Sequence, residues 1–317
     1  MGPPSRQRPD SVPILRTARR RAALARAIVR NAHADPVIEG RPLVSVVIAT
    51  YNWSSVLRHA IHSVLWQSYD NLELLVIGDC CTDDSEEVVA SFGDERVRWH
   101  NLETNSGSQA VPNRTGLEMA RGEYVAYQGH DDIWHPKHLA TMLAYLQRKS
   151  ADFGFGLAEV IGPPGSRMRK LSGLVRHGPL PYDHWLPPTS LVHEAELGRR
   201  IGGWLTWEEG QGPPDMNFLS RAQGGARRMI GVPALTAFKF PSAARPNAYR
   251  DLPSHEQRAY VERIESERFF IERELAALAL RRLSPLPERP AHDELGDEEK
   301  ADPLVLYATL RRVRGLD

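Results

Sequence analysis

Between positions 42 and 149 one pattern of apolar and polar residues recurs. A short unbroken apolar run is followed by a polar turn, then by a segment with apolar residues three or four apart. LVSVVIA (43–49) and LELLVI (72–77) have strand length and no alternation, as strands buried on both faces do. VRWHN (97–101) and 124–127 read as further strands. Segments 54–67, 84–92 and 108–121 have helical spacing, and Pro136 is placed to open a helix reaching about 149. Strands alternating with helices at short spacing predict an α/β fold with a mostly parallel central sheet and helices on both faces.

The flanks are less regular. Residues 1–13 are rich in Pro, Arg and Ser and read as disordered. Segment 14–32 reads as a basic helix with an apolar stripe of Ile14, Ala18, Ala22, Ala25 and Val29. Its arginines, Arg16, Arg19, Arg20 and Arg26 among them, could face an anionic lipid surface, or the helix could pack on the main body with its charges in water. Segment 179–204 reads as loops with one short strand near 190–193. PPDMNFLSRAQGG (213–225) reads as a helix capped by Asp215 and closed by Gly224. Residues 254–283 read as one long charged helix with Ser254 and Gln257 at capping-box spacing. An acidic linker, 284–302, leads to a last helix, 303–314.

Composition narrows the function classes. The 317 residues carry 40 Lys plus Arg and 40 Asp plus Glu, so net charge offers no support for nucleic-acid binding. Hydrophobic content is that of an ordinary soluble protein. The two cysteines, Cys80 and Cys81, are neighbours, which is no disulfide framework and suits a reducing cytoplasm. No segment is apolar for long enough to span a bilayer.

The candidate chemistry lies at the carboxyl ends of the predicted strands, where ligands bind in such sheets. Thr50, Tyr51 and Asn52 follow the first strand, Asp79 the second, and Asp131 with Asp132 the fourth. ATYNWSS, after the first strand, holds no glycine. That excludes the dinucleotide fingerprint and the phosphate-binding P-loop, and argues against a nucleotidyltransferase. Two adjacent carboxylates repel each other unless a cation is near. They could share a divalent metal that also holds a diphosphate, or they could favour the start of the following helix.

VSVVIATYNWSSVLRHAIHSVLWQSYDNLELLVIGDCCTDDS and ARGEYVAYQGHDDIWHPKHL resemble the opening and the metal-site segment of family 2 glycosyltransferases, which have the GT-A fold. The resemblance covers roughly residues 42–225. It implies a nucleotide-binding half over 42–135, an acceptor half over 136–250, an N-terminal extension over 1–41 and a helical C-terminal extension over 251–317. It implies an inverting transfer from a nucleotide sugar, with UDP the favoured carrier, to an acceptor hydroxyl on a saccharide, a lipid-linked sugar or a small molecule. Thr50, Tyr51, Asn52 and Asp79 match nucleotide contacts. The family's D-x-D becomes Gly129-His130-Asp131, with Asp131 on Mn²⁺ or Mg²⁺, Asp132 a further acid and His130 a nearby contact. Asp215 matches the general base, and Ser190, His193 and Trp204 match the acceptor side. Trp204 and Trp207 could be sugar platforms or core. The family's acid before Asp79 is Gly78 here, so a nucleotide-binding relative without transfer activity is the alternative. The implied location is cytoplasmic, peripheral to the membrane if α-helical basic residues dock there, and a homo-oligomer is open.

Overall fold

The computed structural model describes residues 13–166, 168–174, 185–281 and 303–316. The expected N-terminal tail, part of the 179–204 loop segment and the 284–302 linker lie outside them.

A basic helix, α1 (Pro13–His33), leads into the regular α/β half. There β1 (Val44–Thr50), α2 (Ser54–Leu65), β2 (Leu72–Gly78), α3 (Ser85–Ala90), β3 (Val97–Asn101), α4 (Ala110–Met119) and β4 (Tyr124–Gly129) follow in turn. The four strands are parallel in the order β3-β2-β1-β4. Side chains alternate faces along each strand. Val44, Val46 and Ile48 pack under α2, while Val47, Leu75 and Ile77 pack with Ala110 and Leu117 of α4. Full burial of each such aliphatic side chain contributes roughly 1.5–3 kcal/mol.

The second half adds β5 (Ile133–Trp134), α5 (His138–Lys149), β6 (Phe153–Ile161), β7 (Arg169–Ser172) and β8 (Leu191–Glu194). After them come α6 (Ala195–Arg200), α7 (Trp207–Gly210), α8 (Pro214–Gly225) and β9 (Met229–Lys239). These strands extend the sheet to β3-β2-β1-β4-β8-β6-β9-β5, with β7 on β6. Strand β8 is antiparallel to β4 and β6, whereas β9 is parallel to β6. The sheet is therefore parallel in its first half and mixed in its second.

Several local expectations are corrected. The helix placed from Pro136 starts at His138, because β5 comes first and pairs with β9. Strands β6 and β9 were not expected: two glycines and a glutamate break the apolar pattern of FGFGLAEVI, and Pro233 interrupts β9. Pro233 is tolerated because the β6–β9 register shifts there, where no ladder bond is needed. The long charged helix is two, α10 (His255–Ser266) and α11 (Phe270–Arg281), following a short turn of helix, α9 (Ala248–Asp251). Glu267 leaves helical geometry, and Phe270 and Ile271 turn into a core with Phe238 and Phe240. Ser254 makes no cap bond, and Gln257 instead donates to the Asp131 carbonyl at 3.0 Å. Among the side chains of α1 that the structure describes, Ile28, Asn31 and Ala32 are buried and Val29 is half-buried, while Ala22 and Ala25 of the expected stripe are exposed; Ile14 and Ala18 lie outside them. Asn31 donates to the Pro233 carbonyl at 2.7 Å, which seats this end of α1 on β9. Among the described residues no helix is long and apolar enough to cross a membrane.

Buried charge holds the C-terminal segment on the sheet. Glu159 of β6 is fully buried and pairs with Arg169 of β7, which also reaches Glu274 of α11. Arg263 of α10 binds Glu274 at 2.6 Å.

Three histidines are held neutral by burial: His135 and His193 are lowered to about 4 and His138, stacked on Trp134, to about 3. The unfolded chain takes up these protons below its ordinary pKa of about 6.5 while the fold does not. Stability is thus complete above about pH 6.5 and falls as pH drops toward 4, by on the order of 2–3 kcal/mol for each histidine. Calorimetric melting across this range should show a steady fall in Tm, and a flat profile would contradict it.

Candidate active site

Register alone brings the polar turns together. Thr50 pairs with Gly78 across β1 and β2, and Ala49 pairs with Gly129 across β1 and β4. The residues that follow these strands therefore leave from one edge of the sheet. Thr50 Oγ1 lies 3.0 Å from Nδ1 of His130, and Nε2 of His130 lies 3.0 Å from the Tyr249 hydroxyl. Trp53 packs edge-on against both rings. Burial lowers the pKa of His130, with the neighbouring Asp131 opposing. Tyr51 lies beside Tyr249, with ring centroids 6.3 Å apart.

Asn52 and Asp79 are engaged by backbone. Asn52 sits at a positive φ of 38°, and its amide oxygen accepts from Thr82 N at 2.7 Å. Asp79 accepts from Ser106 N at 2.9 Å and from Gly107 N at 3.1 Å, one bond on each oxygen. Burial raises the pKa of this carboxyl against those bonds. Cys80 and Cys81 are free thiols beside it.

The two glycines that stand where the family has acids are explained by packing. A Cβ on Gly78 would meet the Asn101 amide oxygen and come within 2.7 Å of the Trp99 ring. A Cβ on Gly129 would lie 2.9 Å from the carboxyl carbon of Asp132. The Asp132 carboxylate thus fills the space into which a side chain at position 129 would project.

Asp131 and Asp132 do not cap α5, whose N-cap is Lys137. They face Lys239 at the end of β9. Its ammonium lies 3.3 Å from Asp131 Oδ1 and 3.1 Å from Asp132 Oδ2. Asp132 Oδ1 accepts from Phe240 N at 3.0 Å. Both carboxylates are almost fully buried. Burial opposes ionisation of each. Lys239 and His130 hold Asp131 below its ordinary value, whereas burial and the charge of Asp131 leave Asp132 raised. The ammonium is held charged by the two acids despite its burial.

The Mn²⁺ or Mg²⁺ expected here fits this donor set poorly. The cation's place between the carboxylates is taken by an ammonium. A dication ~4 Å from that ammonium would be repelled by about 8 kcal/mol at an effective dielectric of ~20. No group of three or more His, Cys, Asp or Glu is gathered for a metal among the described residues.

Asp215 lies in the first turn of α8, where Pro213 rather than Asp215 is the N-cap. Its Oδ2 accepts from Trp185 Nε1 at 2.7 Å and its Oδ1 from Met216 N at 3.0 Å. One turn on, Phe218 stacks on Trp204 at 4.4 Å and meets Tyr127 of β4 edge-on at 5.8 Å. These rings seat α8 against the strand that ends at Gly129. Ser190, His193 and Trp204 themselves are fully buried. His193 stacks on Phe153, and Ser190 donates to the Pro187 carbonyl at 2.8 Å. They belong to the core under this part of the sheet and present no free surface. Trp207 is buried against Tyr307 of the C-terminal helix Pro303–Arg314. A cavity of about 30 Å³ opens between Asp132, Lys239, Gln128 and Thr189. Lys239, Tyr249 and Trp185 were missed in the sequence. The only available signal was a lone lysine ending the apolar run VPALTAF.

This architecture, with acids at the ends of parallel strands and a mixed second half, is the GT-A glycosyltransferase fold. It is shared with the crystal structure of S. aureus TarS 1-349 in complex with UDP-GlcNAc, at a TM-score of 0.54 and 20% identity over 85% of this chain and 81% of that one. The family model for Glycosyl transferase family 2 matches residues 45–195, and the chain carries a family 2 glycosyltransferase domain. TuaG of Bacillus subtilis (strain 168), named for teichuronic acid biosynthesis, is 34% identical over 168 residues, 52% of this chain and 61% of that protein. The UDP-Glc:alpha-D-GlcNAc-diphosphoundecaprenol beta-1,3-glucosyltransferase WfgD of Escherichia coli is 33% identical over 119 residues, 38% of this chain and 47% of WfgD. The chain thus spans about half to three-fifths of these relatives.

Gly78→Ala should lower unfolding free energy by about 1–3 kcal/mol, as overpacking does. Urea denaturation that leaves the midpoint unchanged would show that Asn101 and Trp99 yield freely.

Proposed function

We propose that this chain is an inverting glycosyltransferase that moves a sugar from a nucleotide sugar, UDP-linked in the favoured case, to an acceptor hydroxyl. The observation that carries it is the convergence of Thr50, His130, Asp131 and Asp132 on one sheet edge, within the segment that matches the family. The name of TuaG and the lipid-linked substrate in the name of WfgD support a role in cell-surface polysaccharide synthesis, on a saccharide or lipid-linked acceptor. The UDP-GlcNAc complex of TarS supports a UDP-sugar donor.

Asp215 is the general base. The acceptor oxygen attacks the anomeric carbon from the face opposite the nucleotide. Its proton passes to the Asp215 carboxylate as the new C–O bond forms. The bond from the anomeric carbon to the diphosphate oxygen breaks, and its electron pair leaves with the nucleoside diphosphate. One displacement inverts the anomeric centre. Trp185 Nε1 and Met216 N hold the carboxylate in orientation without supplying a proton. Thr50, Tyr51, Asn52 and Asp79 line the turns against which the nucleoside would lie.

Asp215→Asn keeps the shape and one of the two hydrogen bonds, because its amide nitrogen cannot accept, and removes the base. Transfer should fall by about 10²–10⁴-fold, the usual worth of general base catalysis, while UDP affinity stays within about twofold. Radiolabelled sugar transfer beside calorimetric UDP binding measures both. Undiminished transfer would remove Asp215 from the mechanism. UDP binding with no transfer by the native protein would favour the alternative of a nucleotide-binding relative without activity.

A further inference from the structure

Resting on the nucleotide-sugar reading above, we infer that the departing diphosphate is neutralised by side-chain cations, Lys239 with Arg314, in place of a divalent metal.

Lys239 sits where the charge is needed. Its ammonium bridges Asp131 and Asp132 at the end of β4, at 3.3 Å and 3.1 Å. Its side chain keeps 17% of its surface exposed, so it also borders open space, and it lines the cavity next to Gly129 and Thr189. The geometry that normally makes room for two carboxylates around a metal is absent: position 129 has no side chain, and Asp132 has folded into that space and onto the lysine. A buried ammonium between two carboxylates is preorganised, and a preorganised charge stabilises a developing anion without rearrangement.

A second cation comes from the far end of the chain. The C-terminal helix Pro303–Arg314 returns to the strand ends, where Tyr307 donates to the Gly107 carbonyl at 2.7 Å and Asn247 N donates to the Val313 carbonyl at 2.8 Å. Arg314 follows Val313, whose carbonyl is bonded by Asn247 two residues before Tyr249, and its charge acts weakly on Tyr249 and His130. Its Nε is buried with no hydrogen-bond partner. A buried guanidinium nitrogen left unpaired is costly unless a ligand completes it, and phosphate oxygens match its geometry. Lys239 offsets part of the charge of Asp131 and Asp132, which leaves Arg314, whose Nε has no partner, as the cation not taken up by that pair. A diphosphate bound at these strand ends would then draw on the N–H groups of Lys239, which lines the cavity, and on the unpartnered Nε–H of Arg314. As the anomeric C–O bond breaks, the charge gained by the leaving oxygen is met by these N–H donors, and no proton or metal need enter.

The test compares the full chain with Lys239→Ala, Lys239→Arg and Arg314→Ala. UDP and GDP are titrated calorimetrically in excess EDTA and again with Mn²⁺, and Mn²⁺ binding to each protein alone is read by electron paramagnetic resonance. Circular dichroism confirms folding, and Lys239→Arg tests the cation without loss of the charge. The native protein should bind nucleotide equally in EDTA and in Mn²⁺, within about twofold, and should leave the free Mn²⁺ signal unchanged. Lys239→Ala should lose at least tenfold in EDTA, regain affinity with Mn²⁺, and now bind Mn²⁺ on the vacated carboxylates. Lys239→Arg should keep EDTA-resistant binding, and Arg314→Ala should weaken it in both conditions. Native binding that collapses in EDTA overturns this inference and leaves the donor reading intact. So does a Lys239→Ala protein that binds as well as the native one in EDTA. Failure of the native protein to bind either nucleotide in any condition overturns the donor reading itself, and this inference with it.

Discussion

Two carboxylates, Asp131 and Asp132, share the ammonium of Lys239 in nearly full burial, and much of the surrounding chain serves to make that arrangement tolerable. Two unpaired acids at this depth would cost several kcal/mol each. The cluster survives because β9 delivers the lysine, Phe240 N supplies a bond to Asp132, and Gln257 of α10 binds the Asp131 backbone. Strand β9 reaches this point only because β6 and β8 carry the sheet past β4. The C-terminal helices are attached at the end of the same strand by Phe238 and Phe240, and to β6 and β7 by the Arg169 ion cluster. The second half of the molecule is thus coupled to the strand ends of the first by charge as well as by packing.

The same cluster gives meaning to the chain's departures from its family. Gly78 and Gly129 could be taken as signs of a decayed site. Packing tells a different story. At Gly78 the indole of Trp99 and the amide of Asn101 leave no room for a side chain, and Asn101 is needed to hold Cys81 N at 2.8 Å. At Gly129 the missing carboxylate is replaced in space by that of Asp132. The acid count falls in sequence, while a carboxylate pair is kept in three dimensions. What changes is its partner, which becomes a lysine of the protein itself.

Much of this fold was legible from periodicity. The runs at 43–49 and 72–77 are strands β1 and β2, because a strand buried on both faces has no polar position to interrupt it. The acids at the strand ends were legible too, since parallel sheets expose their polar turns on one edge. Strands β6 and β9 were hidden because glycine, proline and a buried glutamate are tolerated there only through tertiary partners: a register shift for Pro233 and Arg169 for Glu159. The capping-box pair Ser254 and Gln257 misled for a related reason, since Gln257 is used by a segment 126 residues away.

The sequence by itself determined the class of fold, the edge on which chemistry could occur and the acids available there, because hydrophobic periodicity and strand-end turns are local properties. Tertiary structure decided which cation those acids meet, which aromatic residues are core rather than surface, and that the last helix returns to the strand ends. Lys239 is 107 residues from Asp132 along the chain, and only the order of β8, β6 and β9 in the sheet brings them within 3.1 Å. Charge pairing of this kind depends on position in space, and linear spacing carries no trace of it.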